Sequence, residues 1–291
     1  MSDSTAAMLG IPLNPFAPAP ALAFLKAAEQ LGIPHRQVDM SSLKPASLGD
    51  HPADNLGAIE ITHITPVLLY GYPLACLALR QIQLARVRSL NPIQSVALAD
   101  DKALSAVYLQ ASGVAQPDTV LLNPCDLALA SSLGYPLWLK RPHGSLGFWV
   151  RRVTESSQLQ PMAEELLTEG AELLVAQAEV TESLGTAIRV IVLNGQVLAS
   201  TIRTAADGEF LSNVAAGGKQ APVELTEQER AVAIDASAAL ALGFSGVDIM
   251  RSQKGPVVLE INANPGFTSM TSHINVDIAQ QVLKTLLARN T

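Results

Sequence analysis

The last part of the sequence places a carboxylate and an amide at the end of a strand-like, apolar segment. Residues 257–267 read VVLEINANPGF, in which Glu260 and Asn262 precede an Asn-Pro-Gly chain breaker. Because successive side chains of a strand point to opposite faces, these two share one face. Asp248 stands in the preceding strand-like segment, GVDIM. If all three side chains converge, they form a set of hard oxygen ligands that suits Mg2+.

The pairing of these two strands decides whether Asp248 meets Glu260. A loop of residues 253–255, with Ser252 opposite Pro256, would set the two carboxylates opposite each other, whereas a slip of one residue would turn Asp248 to the other face. Two close carboxylates repel each other unless a cation lies between them. The alternative is a solvated hairpin face with ordinary charges, and for Asp248 taken alone the sequence favours that alternative.

A second candidate element is a glycine-containing loop at residues 139–150, LKRPHGSLGFWV. A strand-like run ends at Lys140, and Gly144, Ser145 and Gly147 follow. Glycines let backbone N–H groups approach phosphate oxygens, and the lysine adds a positive charge. The loop has neither the GxxxxGKS/T pattern of a P-loop nor the GxGxxG pattern of a dinucleotide-binding turn. Combined with the downstream carboxylates, it predicts a site for a nucleotide and magnesium.

Two arginines, Arg189 and Arg203, stand in the apolar strand-like runs IRVIV and STIRTA. An arginine that faces a cleft from such a strand loses hydration unless it meets an anion. Phosphate or carboxylate binding is therefore the favoured interpretation for both, and an internal salt bridge is the alternative. Among five histidines only His143, in the glycine loop, is a candidate site residue, and the sequence has no GxSxG elbow.

The composition is that of a globular protein without a large nucleic-acid surface. Of 291 residues, 48% are apolar and 15% charged, with a net charge of −7 at pH 7. Binding to a phosphate backbone needs clustered lysines and arginines, which this balance disfavours. Cys76 and Cys125 have no zinc-ligand spacing and are expected to stay reduced. We expect a cytoplasmic protein, because no signal-peptide pattern or membrane-spanning apolar run is present.

The elements that must hold these residues form an N-terminal block and a longer second block. The first has a helix at residues 19–33, and an Asn-Pro turn marks a junction at residues 89–101. The predicted domains are an N-terminal α/β domain of residues 1–95 and a second domain of residues 96–291, divided into 96–175 with the glycine loop and 176–291 with the metal site.

The second block carries clear local signals. Asn194-Gly195 predicts a two-residue hairpin turn. Thr226 and Glu229 predict the capping box of an amphipathic helix, with Gly243 as its C-cap. Further predicted elements are a helix capped by Asp100 or Asp101 that ends near Gly113, strands at residues 135–142 and 173–180, and a helix around residues 164–169.

Taken together, these motifs resemble the ATP-grasp superfamily, and within it the RimK-like ATP-dependent carboxylate–amine ligases. The resemblance covers roughly residues 90–290, and the motifs follow the family's order. The last motif is the most specific of them. The matching pieces are Asp101-Lys102, LKRPHGSLG, the hairpin around Arg189 and Arg203, FLSNVAAGG at residues 210–218, GVDIM and LEINANPGF.

The resemblance implies an α/β (α+β) ATP-grasp fold, in which a small N-terminal α/β domain precedes two α+β subdomains that enclose ATP. It implies that Asp248, Glu260 and Asn262 hold Mg2+, or Mn2+ in its place, and that Arg189, Arg203 and Asn213 serve catalysis. The implied ATP-binding residues are Lys102, Lys140, His143, Gly144, Ser145, Gly147, Gln177, Ala178, Glu179, Val180, Leu211, Ser212 and Asn213.

Three departures from the family pattern stand out. Ala187 occupies a position where the family often has an acid that meets the ribose. The adenine strand reads Gln177-Ala178-Glu179 instead of Gln-Glu-aromatic, and Trp149 stands where the glycine loop usually has another glycine.

The resemblance implies a ligase that forms an amide bond through an acyl phosphate. The expected partners are an amino-acid donor such as glutamate and a peptide, pterin, furan cofactor or other small acidic acceptor, and the expected assembly is a homo-oligomer without nucleic acid or membrane. A basic acceptor pocket would draw on Arg189, Arg203, Lys219, Arg151 and Arg152. The alternatives are a nucleotide-binding regulatory protein, which Ala187 and Trp149 motivate, and a kinase that stops at phosphorylation.

Overall fold

The computed structural model describes residues 8–13, 18–39, 61–64, 77, 81, 87–144, 147–167, 173–206 and 217–288. These residues form three β-sheets with helices packed against them. Within this part of the chain, no helix is both long enough and apolar enough to cross a membrane.

The first sheet is parallel and belongs to the N-terminal part of the chain. Helix Pro18–Gln30 connects its first two strands and buries Phe24, Leu25 and Ala28, so the predicted α/β character and the predicted helix are both present. A crossover helix is the usual connection between parallel neighbours. The strands are β1 Met8–Leu13, β2 His35–Asp39, β3 Ile61–Ile64 and β4 Arg88–Ser89, in the order β2-β1-β3-β4.

Two consecutive helices, Ile93–Asp100 and Lys102–Ala111, lead from the first sheet to the second. The Asp101 side chain caps the second helix by accepting hydrogen bonds from the backbone N–H groups of Ala103 and Leu104 at 2.8 and 3.0 Å. The sequence predicted either Asp100 or Asp101 as the cap, and the structure shows that it is Asp101. The domain boundary predicted at residue 95 falls inside helix Ile93–Asp100 and stays a prediction.

The second sheet is antiparallel and carries the glycine loop between two of its strands. Helix Leu159–Leu167 covers one face, and a short 3-10 helix, Leu127–Leu133, completes the core on that side. The strands are β5 Thr119–Leu122, β6 Leu137–Lys140, β7 Val150–Val153 and β8 Leu174–Ala178, in the order β5-β8-β6-β7. Since β8 runs to Ala178, the division predicted between residues 175 and 176 lies within a strand of this sheet.

The third sheet is antiparallel with five strands. Asn194 and Gly195, with φ of 47° and 73°, make the predicted hairpin turn between β9 and β10. Helix Glu227–Ala239 packs on one face, and helix Ile278–Ala288 contacts helix Pro18–Gln30 on the other side. The strands are β9 Thr186–Leu193, β10 Gln196–Thr204, β11 Lys219–Pro222, β12 Phe244–Ser252 and β13 Gly255–Asn262, in the order β11-β10-β9-β12-β13.

The helix before β12 begins as predicted but ends differently. Thr226 and Glu229 form the reciprocal capping box. The predicted C-cap at Gly243 is wrong, because the helix ends at Ala239 and the left-handed residue is Ala241, with φ of 52°. Gly243 is required for another reason: a Cβ atom there would stand 2.5 Å from the carbonyl oxygen of Leu90.

Candidate active site

The turn between β12 and β13 is shorter than predicted. It contains only Gln253 and Lys254, and Ser252 lies opposite Gly255, not opposite Pro256. The predicted three-residue loop is therefore wrong. A regular ladder continued from this turn would place Leu259 opposite Asp248 and would turn Glu260 away from it.

A β-bulge restores the predicted pairing of the two carboxylates. The register shifts by one residue at Leu259, so that Asp248 lies opposite Glu260. On one face, Val258 and Ile261 are buried in the core beneath the sheet. On the other face, Leu259 and Glu260 both line an open cleft. The bulge thus turns two consecutive side chains toward the same space.

The cleft lies between the second and third sheets and measures about 1110 Å3 up to its open mouth. Arg189 and Asn262 stand outside its lining, whereas Ser145, Leu211, Ser212 and Asn213 lie outside the described residues. The sequence-predicted residues that line it are Lys102, Lys140, His143, Gly144, Gly147, Gln177, Ala178, Glu179, Val180, Arg203, Asp248 and Glu260.

Arg189 and Asp248 form a buried, two-pronged ion pair across β9 and β12. Nε and Nη2 of Arg189 donate to the two Asp248 oxygens at 2.5 and 2.6 Å. Burial works to lower the pKa of Arg189, but the adjacent carboxylate outweighs it and the pKa is raised. Arg189 thus makes the internal salt bridge that was the alternative interpretation. Its predicted catalytic role stays a prediction.

Arg203 is a buried cation with an unused donor. Its Nη1 lies 3.9 Å from Oδ1 of Asp248, and its buried Nε has no hydrogen-bond partner. Burial, with a contribution from the nearby Arg189, lowers the pKa of Arg203 to about 10, so it stays charged at neutral pH. A buried donor without a partner costs about 1–3 kcal/mol.

Two lysines face the carboxylates across the cleft. Nζ of Lys102 donates to the carbonyl oxygen of Gly144 at 2.6 Å and lies 3.4 Å from Oε1 of Glu260. Nζ of Lys140 donates to Oε1 of Gln177 at 2.6 Å. Burial lowers the pKa of Lys140 to about 8, although Glu260 acts in the opposite direction.

The glycine loop is packed against a tryptophan. Gly144 and Gly147 have φ of 143° and 80°, a region that favours glycine. A Cβ atom on Gly144 would stand 2.8 Å from Cδ1 of Trp149. The guanidinium group of Arg141 stacks on the Trp149 ring, 4.3 Å from its centroid. His143, at the mouth of the cleft, contacts the carbonyl oxygen of Asp100 at 3.2 Å.

Glu179, which belongs to the second departure from the family pattern, also pairs with a residue of the second sheet. Both oxygens of Glu179 accept from Arg152, at 2.5 and 2.8 Å. Arg151 is bound to Glu165 in the same two-pronged way. Arg151 and Arg152, two of the four arginines expected in a basic acceptor pocket, are therefore engaged in ion pairs.

Sequence reasoning missed the apolar lining of the cleft. Trp138, Leu184, Met250 and Leu259 contribute to it. Alternation along β12 could have found Met250, because it stands two residues after Asp248. No local signal could have found Leu259, since its orientation follows from the bulge.

The residues predicted to hold a divalent cation fit one chemically. Asp248 and Glu260 lie opposite each other, and Asn262, two residues after Glu260 on the same strand, follows on the same face. Arg189 uses one lone pair on each Asp248 oxygen, and a carboxylate has about four. The described residues contain no cluster of three or more histidine, cysteine, aspartate or glutamate side chains. Two carboxylates and an amide suit Mg2+, which completes its shell with phosphate oxygens and water.

The comparisons with known proteins agree with this geometry. A protein-family model described as "RimK-like ATP-grasp domain" matches residues 99–286, more than half of the chain. A protein named "Probable alpha-L-glutamate ligase" from Thioalkalivibrio sulfidiphilus is 36% identical over 208 residues, which cover 70% of this chain and 69% of that protein.

Solved structures show the same fold at low identity. D-cycloserine synthetase DcsG superposes with a TM-score of 0.74 and 21% identity, covering 97% of this chain and 99% of that chain. The ATP-grasp ligase PsnB, complexed with a phosphomimetic variant of its minimal precursor, Mg and ADP, gives a TM-score of 0.73 at 16% identity, covering 98% and 99%. The predicted ATP-grasp fold is confirmed.

Breaking the buried ion pair is expected to destabilise the protein strongly. Arg189→Met would leave the Asp248 charge buried without its partner, and the free energy of unfolding should fall by about 3–5 kcal/mol. Chemical denaturation followed by circular dichroism measures this loss. The double variant Arg189→Met/Asp248→Leu should recover part of it, because the orphaned charge is gone. As a matched control, Arg151→Met removes a solvated surface pair and should cost far less; an equal loss in both would contradict this account.

Proposed function

The chain belongs to the RimK-like ATP-grasp family of ligases, and from that premise we propose that it joins an amino acid to a carboxylate acceptor at the expense of ATP. The proposed amino acid is glutamate or a close analogue. This proposal takes its support from the name of the relative in Thioalkalivibrio sulfidiphilus. The proposed acceptor is a small acid or a peptide, since a D-alanine–D-alanine ligase and the ligase PsnB with its precursor peptide PsnA2 share this fold.

The observation that carries the proposal is the distribution of charge in the cleft. Asp248 and Glu260 lie side by side on one wall, and Lys102, Lys140 and Arg203 line the same space. Two carboxylates suit a divalent cation, and three cationic side chains suit a triphosphate. The positive charge of Arg203, which lines the cleft, supports an anion at this point.

In the proposed reaction the acceptor carboxylate attacks the γ-phosphorus atom of ATP, and ADP leaves. The amine of the amino acid then attacks the acyl carbon, and phosphate leaves. Lys102 and Lys140 neutralise the phosphates, and Arg203 binds the oxygens of the transferred phosphoryl group. Asp248, Glu260 and Asn262 would hold magnesium, which supplies further charge neutralisation. No protein nucleophile is needed.

The apolar part of the cleft supports an adenine site. Trp138 and Met250 line it together with Leu259, and large apolar surfaces suit a planar purine ring. The end of β8 at residues 177–180 lies beside these side chains, as the family resemblance implies. We further propose that the protein acts in the cytoplasm as a homo-oligomer, without nucleic-acid or membrane partners; the net charge of −7 supports the absence of nucleic acid.

A second candidate function is nucleotide-dependent regulation without turnover. The observation that favours it is the engagement of both Asp248 oxygens by Arg189. If this ion pair keeps Asp248 from coordinating a metal through its remaining lone pairs, nucleotide would bind without chemistry. The kinase alternative would leave a stable phosphorylated acceptor and no amide.

The first test of the proposal is ADP release from magnesium-ATP with paired acids and amino acids. Release that needs both an acid and an amine would support the ligase, and release with the acid alone would favour the kinase. Glu260→Ala should abolish release, whereas Glu165→Ala, whose carboxylate pairs with Arg151 away from the cleft, should not. Both tryptophans line the cleft, so their fluorescence reports nucleotide binding independently. Binding without release across all pairs would favour regulation.

ATP affinity is expected to weaken above about pH 8. Burial lowers the pKa of Lys140 to about 8 in the free protein, so the side chain becomes neutral above that pH, whereas a bound phosphate restores the charge. Binding then requires proton uptake, and the dissociation constant should rise by up to about tenfold per pH unit. Fluorescence titrations between pH 7 and 9.5 measure this. Lys140→Arg stays charged and should lose the dependence; an unchanged profile would argue against phosphate contact by Lys140.

The sugar part of the site is expected to tolerate a missing hydroxyl. Ala187 lines the cleft opposite Arg203 and offers no side-chain acceptor to a ribose. We expect similar kcat/KM values for ATP and 2′-deoxyATP. Ala187→Asn adds a hydrogen-bonding group worth about 0.5–1.5 kcal/mol and should favour ATP by about 2–10-fold. Ala187→Val is the size-matched apolar control. Strong discrimination by the natural protein would contradict this placement of the sugar.

A further inference from the structure

The side chain of Asn91 joins two segments that are distant in sequence. Its Oδ1 accepts from the backbone N–H of Phe244 at 2.8 Å. Its Nδ2 donates to the carbonyl oxygens of Phe244 and Ala263 at 2.8 and 2.7 Å. Asn91 is only 3% exposed. Both ends of its amide are therefore used, and the residues they reach are the first of β12 and the one that follows β13.

The hydrogen bonds of Asn91 lie just beyond the end of the hydrogen-bonded ladder between β12 and β13. The last pair of the ladder is Gly246 with Asn262. Two further steps would bring Phe244 opposite Asn264, but the ladder does not continue there, and the following Pro265 has no N–H to donate. The amide of Asn91 takes over both backbone groups of Phe244 and one of Ala263, so the ladder ends without losing them.

Two glycines of the same region let the neighbouring segments come this close. A Cβ atom on Gly243 would stand 2.5 Å from the carbonyl oxygen of Leu90, and a Cβ atom on Gly246 would stand 2.5 Å from Cβ of Pro265. Neither position tolerates a side chain without displacement of its neighbour. The segment that carries Asn91 is thus held directly against the start of β12.

The same segment leads to Lys102. After Asn91 the chain passes through helix Ile93–Asp100 and the cap at Asp101 to Lys102, which lies 3.4 Å from Glu260. Residues 91–102 therefore contact β13 at two points. Lys102 lies near Glu260, and Asn91 bonds Ala263, the residue after Asn262. Displacing this segment would disturb the surroundings of both Glu260 and Asn262.

We propose that Asn91 is a positioning residue for the divalent-cation site: by holding the backbone at Ala263 it fixes where the neighbouring Asn262 stands relative to Glu260. This inference rests on the proposed function, since it takes Asn262 as a ligand. Asn91 itself touches neither metal nor substrate. Groups that orient metal ligands typically change metal affinity by about 10–100-fold when they are removed.

The test is the affinity for Mn2+ in the presence of a non-hydrolysable ATP analogue, measured from the electron paramagnetic resonance signal of free Mn2+. Asn91→Asp keeps the shape of the side chain but sets an oxygen against two carbonyl oxygens. It should weaken Mn2+ binding by about 10–100-fold. Without metal, the nucleotide affinity of the variant, read from tryptophan fluorescence, should stay within about twofold of that of the natural protein. A tenfold change, which corresponds to about 1.4 kcal/mol, would be clearly outside this range.

Ser237→Ala is the matched control. Ser237 is also buried and bonds Ser245 and the carbonyl oxygen of Leu242 at 2.9 and 3.1 Å, so its loss destabilises the start of β12 without touching the Ala263 side. Its melting temperature should fall while Mn2+ affinity stays unchanged. Gly243→Ala keeps the asparagine side chain but pushes Leu90 and Asn91 away from β12. It should reproduce the Mn2+ defect and serves if Asn91→Asp does not fold.

The outcomes separate the two proposals. Normal Mn2+ affinity in folded Asn91→Asp or Gly243→Ala protein overturns the positioning role and leaves the proposed ligase untouched. An equal Mn2+ defect in Ser237→Ala also overturns it, because general loosening of β12 would then suffice. Absence of nucleotide-dependent Mn2+ binding in the natural protein overturns the cation site itself.

Discussion

A charged row runs across the middle of a sheet whose other face is apolar core, and the rest of the site depends on it. Arg189, Asp248 and Glu260 are direct neighbours on β9, β12 and β13. Charges buried in this way are stable only when they are paired and hydrogen-bonded. The Arg189 guanidinium satisfies Asp248 from within the sheet, while Lys102 approaches Glu260 from the helix above. The row therefore constrains the strand order and the position of the helix that follows the N-terminal part.

The geometry of β13 reconciles this charged row with the core beneath it. A regular strand alternates, so it cannot place Leu259 and Glu260 on one face and keep both Val258 and Ile261 in the core. The bulge allows this arrangement. The same irregularity gives the cleft an apolar wall beside a carboxylate, which is the combination that a purine nucleotide with its cation requires.

The departures from the family pattern are compensated in the second sheet. Trp149 stacks on Arg141 and packs against Gly144, and Glu179 pairs with Arg152. Trp149 and Glu179 are bulky or charged side chains in the cleft. Each contacts an arginine on or directly after β6 or β7. The glycine loop and the end of β8 are thus braced by contacts internal to one sheet. Ala187, which lines the cleft opposite Arg203 on the third sheet, has no such substitute.

The sequence by itself determined the features that depend on neighbouring residues or on residue type. The Asn194-Gly195 turn, the Thr226–Glu229 capping box and the shared face of Glu260 and Asn262 follow from local stereochemistry, and the motif order indicated the family. Charge and spacing also marked Lys140 and Arg203, and the family resemblance marked Lys102; all three line one cleft.

Only the tertiary structure decided how these groups are used. The bulge at Leu259, the two-residue turn before it and the engagement of Arg189 by Asp248 depend on which strands become neighbours, and no local pattern encodes that. Gly243 was misread for the same reason: its sequence context fits a helix cap, whereas its actual constraint comes from Leu90, more than 150 residues away. Asn91 likewise reads as an ordinary turn residue until the fold brings Phe244 and Ala263 to its amide, because long-range hydrogen bonds exist only once the chain has closed around them.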